Sequence, residues 1–283
     1  MPAHRSGPAR RRPPAAAGVI LSLLSVLALL LTLPQAAGAA VRGRQPRPTH
    51  PEQDWMGATV RAHEGGHRSA PATLMSTVEG VDVSSHNGNV PWSSLRNSGV
   101  RFAYAKATEG TSYTNPYFTQ QYNGPYDAGM IRGAYHFALP DNSSGRAQAN
   151  YFADHGGGWS SDGKTLPGVL DMEYNPYGSN CYGMSASALV SWIRDFSVTY
   201  HSRTGRDPVI YTSTVWWKTC TGNYGGFGSV NPLWIPRYSS SAGELPYGWS
   251  FHTFWQYTDT GSTVGDRDRF NGSLSRLQAL ADG

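Results

Sequence analysis

Eight short runs of β-branched and aromatic residues recur along the second part of the chain, and each run has the length of a strand. Turn-forming residues separate them. The runs are VDVS from Val81, VRFAYAKAT from Val100, IRGAYHFA from Ile131, PGVLDMEY from Pro167, PVIYTS from Pro208, PLWIPRY from Pro232, FHTFWQYT from Phe251 and DRDRF from Asp266. The pattern therefore predicts eight strands.

Several of the intervals between these runs carry apolar residues at helical spacing. The clearest is residues 185–203, which end just before a candidate C-cap at Gly205; residues 115–128 and 144–155 follow the same pattern. Strands that alternate with helices predict a parallel sheet, and eight such units predict a small TIM-like β/α barrel in a single domain. Residues 219–231 and 239–249 are rich in Gly and Ser without a clear helix, so we expect an irregular second half.

The first 79 residues form a leader of different composition. Arginines at positions 5 and 10–12 precede an apolar run over residues 18–33 and a small-residue stretch, so residues 1–39 are expected to be a secretory signal peptide. A membrane anchor is the alternative, but spanning a bilayer takes about 20 apolar residues. Residues 40–79 are polar and predict a pro-segment or a disordered linker. We expect residues 80–283 to be the folded domain of a secreted, extracellular protein with no stable membrane association after processing.

Charge and cysteine content exclude several function classes. The leader carries a net charge of +5 and residues 80–283 carry −1, so the basic balance gives no support for nucleic-acid binding. The two cysteines, Cys181 and Cys220, predict one disulfide, with a metal site or a catalytic thiol as alternatives. The nine histidines show no ligand spacing. We expect neither a metal nor a cofactor.

Polar residues interrupt the strands near the ends where a β/α barrel carries its chemistry. Asp171 and Glu173 are two residues apart on one strand, so their carboxyl groups point to the same face. Two acids that share a partly dry site raise the pKa of one of them, which makes a general acid available for glycoside hydrolysis. Two solvated acids on a surface strand are the alternative, but the apolar flanks weaken it. Asp82 between two valines adds a further acid, unless it pairs with Arg101 or Arg132.

Aromatic residues near the same strand ends offer flat apolar faces on which sugar rings could stack. Most aromatics in a small barrel belong to the core, so each one is a candidate only. The candidate substrate-binding residues are Tyr135, Tyr174, Tyr211, Trp234, Trp255 and Tyr257, together with Lys106.

The blocks GVDVSSHNGNVPW, FAYAKATEGT, AGMIRGAYHFALP, LPGVLDMEYNP, VIYTS, FWQYT and DRDRFNG resemble glycoside hydrolase family 25, the Chalaropsis-type lysozymes. The resemblance covers nearly all of residues 80–283 in order. It implies a flattened β/α barrel that cleaves the β-1,4 bond between N-acetylmuramic acid and N-acetylglucosamine in peptidoglycan. We expect a monomer whose partner is this polysaccharide.

The same resemblance assigns roles to the acids. The proton donor falls on Glu173, its partner on Asp171, the first-strand acid on Asp82 and the last-strand acid on Asp268, with Asp266 as an alternative for the last. A family 18-type chitinase would carry further acids upstream in D-x-x-D-x-D-x-E, where this chain has LPGVL before Asp171. A non-catalytic wall-binding lectin would not need the acid pair. Both a carboxylate nucleophile and assistance by the substrate acetamide stay open for the second half of the reaction.

Overall fold

The computed structural model describes residues 48–65, 77–261 and 263–283. The expected signal peptide, residues 1–39, lies outside the described residues, as does part of the expected pro-segment. Within the described part of the chain, no helix is both long and apolar enough to cross a membrane.

Nine strands and seven α-helices follow one another in the described residues. The helices are α1 (Ala58–Glu64), α2 (Trp92–Asn97), α3 (Phe118–Asp127), α4 (Gly145–Asp154), α5 (Ala186–Thr204), α6 (Thr214–Thr221) and α7 (Leu274–Asp282). The strands are β1 (Val78–Val83), β2 (Phe102–Glu109), β3 (Tyr113–Thr114), β4 (Ile131–Phe137), β5 (Val169–Asp171), β6 (Val209–Tyr211), β7 (Leu233–Pro236), β8 (Phe254–Thr258) and β9 (Asp266–Phe270). A 3₁₀ turn, Ser85–Asn87, follows β1.

Eight of the strands close into a barrel. The sheet runs β1-β9-β8-β7-β6-β5-β4-β2-β3, and pairing of β1 with β2 closes the ring and leaves β3 as a short hairpin on β2. This confirms the single-domain, TIM-like β/α barrel, and all eight predicted strands are present. The expectation of a parallel sheet is wrong at β9, which runs antiparallel to both β8 and β1; the short β3 is also antiparallel to β2.

Strand alternation divides the apolar residues between two layers. Inward side chains such as Phe102, Tyr104 and Phe254 fill the barrel, whereas Leu170 and Ile210 face the surrounding helices. Helix α5 follows its predicted bounds: Ser185 caps its N-terminus, and Gly205 takes a left-handed conformation at its C-terminus. Helix α6 has no counterpart in the sequence prediction. No helix separates β7 from β8, which agrees with the expected irregular second half.

The predicted disulfide is confirmed. Cys181, in the loop after β5, bonds to Cys220 near the end of α6, and their Cα atoms are 5.3 Å apart. The bond ties the loop after β5 to helix α6. The alternatives of a metal site or a catalytic thiol are therefore wrong for these cysteines.

Residues 48–65, termed the covering segment below, are folded against the barrel. They end in α1, and the side chains of Met56 and Val60 are 0% and 2% exposed. For these residues the disordered-linker alternative is wrong. The segment has too few apolar residues to form a core of its own, but the barrel supplies the apolar and polar partners that order it.

Candidate active site

Acidic side chains gather inside the barrel at the ends of β1, β5 and β9. Asp171 is the last residue of β5 and Glu173 follows two positions later; both are fully buried. Neither oxygen of Asp171 meets hydrogen-bond geometry with a donor in the described structure. Burial raises the pKa of Asp171 well above its ordinary range, and the neighbouring Glu173 carboxyl raises it further. The pair therefore has the closeness that the D-x-E spacing predicted.

The Glu173 carboxyl is held by donors from the covering segment. Its Oε1 accepts a hydrogen bond from the Gly57 amide at 2.7 Å. Its Oε2 accepts from the amides of Thr59 and Val60 at 2.9 and 3.1 Å and from the Thr59 hydroxyl at 2.5 Å. Burial raises the pKa of Glu173 although these donors oppose the rise. The net result is a pKa of Glu173 above the ordinary value for a glutamate.

A second group of acids is joined by an amide. Nε2 of Gln256, on β8, donates to Oδ2 of Asp82 at 2.8 Å and to Oδ2 of Asp266 at 3.2 Å. Asp82 and Asp266 are opposite each other in the β1–β9 pairing. Burial raises the pKa of Asp82 to about 7, and the Gln256 hydrogen bond opposes the rise. Gln256 thus holds two acids of the site close together.

Asp268 lies one layer deeper in the barrel than Asp266. Because β9 is antiparallel, its first residue, Asp266, lies at the end of the barrel where β1 ends, whereas Asp268 pairs with Gly80 inside β1. Asp268 is fully buried, and no donor in the described residues meets hydrogen-bond geometry at its carboxyl oxygens. Burial raises the pKa of Asp268 well above its ordinary range, as do the carboxyls of Asp82 and Asp266.

Lys106 ends in an ion pair that the sequence did not indicate. Its Nζ lies 2.6 Å from Oε2 of Glu109, and both side chains are fully buried. The Tyr177 hydroxyl contacts Oε1 of Glu109 at 2.6 Å and also the carboxyl of Asp54. Glu109 follows Lys106 by three residues in the FAYAKATEGT block, and the presence of an acid so close to a lysine on one strand is a signal that could have suggested the pair.

The candidate aromatic residues separate into four groups. Tyr135 and Tyr211 point into the barrel at the level of the acids: Tyr135 accepts a hydrogen bond from the Met56 amide at 3.3 Å, and Tyr211 donates to Oε1 of Gln256 at 2.8 Å. Tyr174 lies at the rim, where its hydroxyl donates to Glu64 at 3.0 Å. Trp234 packs in the barrel core, with ring centroids 4.9 Å from Tyr104 and 5.1 Å from Phe254.

Trp255 and Tyr257 lie on the outer face of the barrel, so the expectation that they line the site is wrong. Trp255 packs with Ile235 and Ala242, and Tyr257 donates to Glu79 at 2.7 Å. Side chains alternate along β8, and the inward position between these two belongs to Gln256.

The covering segment lies between two open parts of the same end of the barrel. On one side a cavity of about 520 Å³ is lined by Asp82, Asp266 and His86, with Trp55 and Arg61 of the segment. On the other side a cavity of about 710 Å³ is lined by Asn175 and Asn180, with further segment residues. These two cavities and the barrel end under the segment are termed the cleft below; Asp82 and Asp266 line one of its cavities, and Glu173 lies under the segment. No group of three or more His, Cys, Asp or Glu residues in the described parts of the chain is arranged to hold a metal ion.

Comparisons with known proteins agree with this geometry. The sequence model of one protein family, the glycosyl hydrolases family 25, matches residues 81–266. Lysozyme M1 of Streptomyces globisporus is 46% identical over 293 residues, an alignment that covers 100% of this chain and 99% of that protein. An N,O-diacetylmuramidase of Chalaropsis sp is 48% identical over 211 residues, which are 73% of this chain and 100% of that protein.

A solved structure shows the same fold. The bacterial lysozyme from Streptomyces coelicolor is 51% identical and superposes with a TM-score of 0.72, over 74% of this chain and 99% of that chain. The family match, the identities and the superposition all point to the same group of hydrolases.

Proposed function

Because the chain belongs to glycosyl hydrolase family 25, we propose that it hydrolyses the β-1,4 bond between N-acetylmuramic acid and N-acetylglucosamine in peptidoglycan. The observation that carries the proposal is the acid pair Asp171 and Glu173, buried side by side at the end of β5. Two neighbouring buried carboxyl groups with raised pKa values are suited to protonate one atom of a substrate and stabilise charge on another. The named relatives, a lysozyme and an N,O-diacetylmuramidase, support this substrate.

Glu173 is the proton donor in this proposal. In its protonated form it gives its proton to the glycosidic oxygen, so the bond between that oxygen and C1 of the muramic acid residue breaks. Asp171 stabilises the positive charge that develops at the ring. Water then supplies hydroxide to C1 and returns a proton to Glu173, which restores the acid.

Asp266 suits the role of the last-strand acid better than Asp268. Asp266 lines the cleft beside Asp82 and shares the Gln256 amide with it, whereas Asp268 lies deeper and faces the core. Asp82 and Asp266 together provide negative charge that one amide orients. Asp268 is better suited to a structural position below the reacting groups.

The remaining parts of the proposal concern where the enzyme acts. In the leader, arginines are followed by an apolar run and then by small residues. This order supports secretion by a signal peptide over residues 1–39. Outside the cell the enzyme would act as a monomer on peptidoglycan, without stable membrane association after processing. The match to family 25 leaves the family 18 chitinase alternative without support, and the acid pair argues against a wall-binding lectin.

The test uses the protein from which residues 1–65 have been removed, since the covering segment contacts Glu173. Purified peptidoglycan is digested and the new reducing ends are reduced and identified. Muramic acid is expected at the reducing ends; N-acetylglucosamine there would contradict the proposal. Glu173→Gln should lower the rate at least about 10²-fold, the usual range for general-acid catalysis. The matched control is Glu244→Gln, the same substitution at an exposed residue, which should keep the wild-type rate.

A further inference from the structure

We infer that the covering segment, residues 48–65, is an intramolecular inhibitor that keeps the enzyme inactive until the segment leaves the cleft. The inference rests on the proposed function, because it concerns access to the same acids. Four independent observations support it: the contacts to Glu173, the contacts to other polar residues of the cleft, the packing along the rim and the close fit at Gly57.

The first observation is that donors from the segment occupy both oxygens of the Glu173 carboxyl. Helix α1 has no side-chain cap, since Gly57 occupies its N-cap position. The exposed amides of its first turn need acceptors, and the carboxyl of Glu173 provides them. The Thr59 hydroxyl adds a fourth donor. A glycosidic oxygen therefore has no approach to this carboxyl while the segment is in place.

The second observation is that the segment's carbonyl groups are bound by polar side chains of the cleft. Lys106 Nζ donates to the carbonyls of Pro51 at 2.9 Å and Asp54 at 2.5 Å. Gln256 Nε2 donates to the carbonyl of Met56 at 2.8 Å. The Met56 side chain packs into the mouth of the barrel with Tyr135 and Tyr211 and is fully buried. These contacts extend over β2, β4, β6 and β8, so the segment spans the opening.

The third observation is that aromatic and charged residues of the rim are already in contact with the segment. His63 stacks on Tyr174 with ring centroids 4.2 Å apart, and Trp55 lies 4.6 Å from His86. Arg61 forms an ion pair with Asp259. Flat rings that could hold sugars thus hold segment residues instead.

The fourth observation is the close fit at Gly57. Its φ of +96° is left-handed, and a Cβ atom there would lie 2.5 Å from the Tyr238 hydroxyl and 2.5 Å from Oε1 of Gln256. Only glycine meets both conditions. A segment that merely lay over the cleft would not need this fit, so the geometry resembles a bound ligand.

Covalent connection explains how such a segment could block a polymer substrate. The segment is joined to β1 through the same chain, and short connections give effective concentrations on the order of millimolar. Once the connection is cut, the segment is diluted and dissociates. The relatives agree with this view: the alignment to Lysozyme M1 covers the whole chain, whereas the Chalaropsis enzyme is matched in full by 73% of it. The whole of that relative is therefore matched by about three quarters of this chain.

The decisive experiment compares variants of the full chain in the lysis of a Gram-positive wall suspension. Thr59→Glu places a carboxylate against Glu173, so like charges should expel the segment. Gln53→Glu adds the same charge at an exposed position of the segment and is the matched control. Thr59→Glu is expected to clear the suspension at least tenfold faster than the wild-type chain or Gln53→Glu. Equal rates for all three chains would overturn the inference.

A second measurement follows the segment without relying on activity. Amide hydrogen exchange at Val60 should be slow in the wild-type chain and in Gln53→Glu, and fast in Thr59→Glu. Fast exchange in the wild-type chain would overturn the inference. So would a Thr59→Glu chain in which the segment is released but activity does not increase, provided that the chain without residues 1–65 is active. If that shortened chain is also inactive, the proposed function is wrong and the inference falls with it.

Discussion

Replacing Glu173 by Gln in the full chain should loosen the covering segment as well as remove the catalytic proton. The carboxyl accepts four hydrogen bonds, one on Oε1 and three on Oε2. A glutamine has one carbonyl oxygen, so placing it at the Oε2 position keeps three bonds but turns its NH₂ group toward the Gly57 amide. One donor is then left without an acceptor.

The size of the effect follows from these bonds. Changing a charged acceptor to a neutral one weakens each hydrogen bond by about 1 kcal/mol, and an unsatisfied buried donor costs about 1–3 kcal/mol. Burying the neutral amide costs less than burying a carboxylate, which offsets part of the sum. A net loss of about 3 kcal/mol remains, and at 1.4 kcal/mol per factor of ten this is roughly a hundredfold.

Amide hydrogen exchange at Thr59 and Val60 measures this loss directly. Both amides should exchange roughly a hundredfold faster in Glu173→Gln than in the wild-type chain, as the energies above imply. Amides within α5 report global stability and should change much less. Unchanged exchange at both segment amides would show that the Glu173 carboxyl does not hold the segment, and the account of the cleft would then be wrong.

Three further predictions concern stability, each measured by urea unfolding. Burial raises the pKa of Asp82 from 3.8 to about 7, so its ionisation destabilises the fold as pH rises; Asp82→Asn should gain about 2–4 kcal/mol at pH 7 and little at pH 4. A gain of equal size at both pH values would contradict this. Burial lowers the pKa of His136 from 6.5 to about 3, so the contribution of this residue to stability should fall by about 3 kcal/mol between pH 7 and pH 4; the stability of His136→Asn relative to the wild-type chain should rise by that amount over this range, and a constant difference would contradict it. Reduction of the Cys181–Cys220 disulfide should cost about 3–4 kcal/mol, and an unchanged urea midpoint would argue against that estimate.

The strands were predictable from the sequence because short apolar and aromatic runs end at turn residues. The direction of β9 could not be predicted from its sequence pattern, since DRDRF alternates in the same way in either direction. The length of the interval between β8 and β9 is the feature that predicts the direction of β9. It is shorter than the dozen or so residues that a parallel crossover needs, so only an antiparallel return fits.

The sequence predicted the part of the site that lies on a single strand. The D-x-E spacing placed Asp171 and Glu173 together, because side chains two apart share a face. The same rule, applied to FWQYT, would have turned Trp255 and Tyr257 outward with Gln256 between them. Asp266 and Asp268 share a face, so alternation alone could not tell which lies nearer the cleft. That distinction depends on the direction of β9.

The covering segment shows the limit of composition as a guide. Few apolar residues and many polar ones predict disorder for a chain on its own. The segment is ordered here because Met56 enters a pocket built by distant strands, and because Glu173 and Lys106 bind its backbone. None of these partners is close in sequence, so no local pattern could reveal them.

The most direct test of the account follows the release of reducing ends from purified peptidoglycan by one preparation of the full chain while the first 65 residues are removed. We expect little release at the start, a rise that keeps pace with removal of the segment, and muramic acid at each new reducing end. A full chain that is as active before removal as after it, or products that end in N-acetylglucosamine, would contradict it.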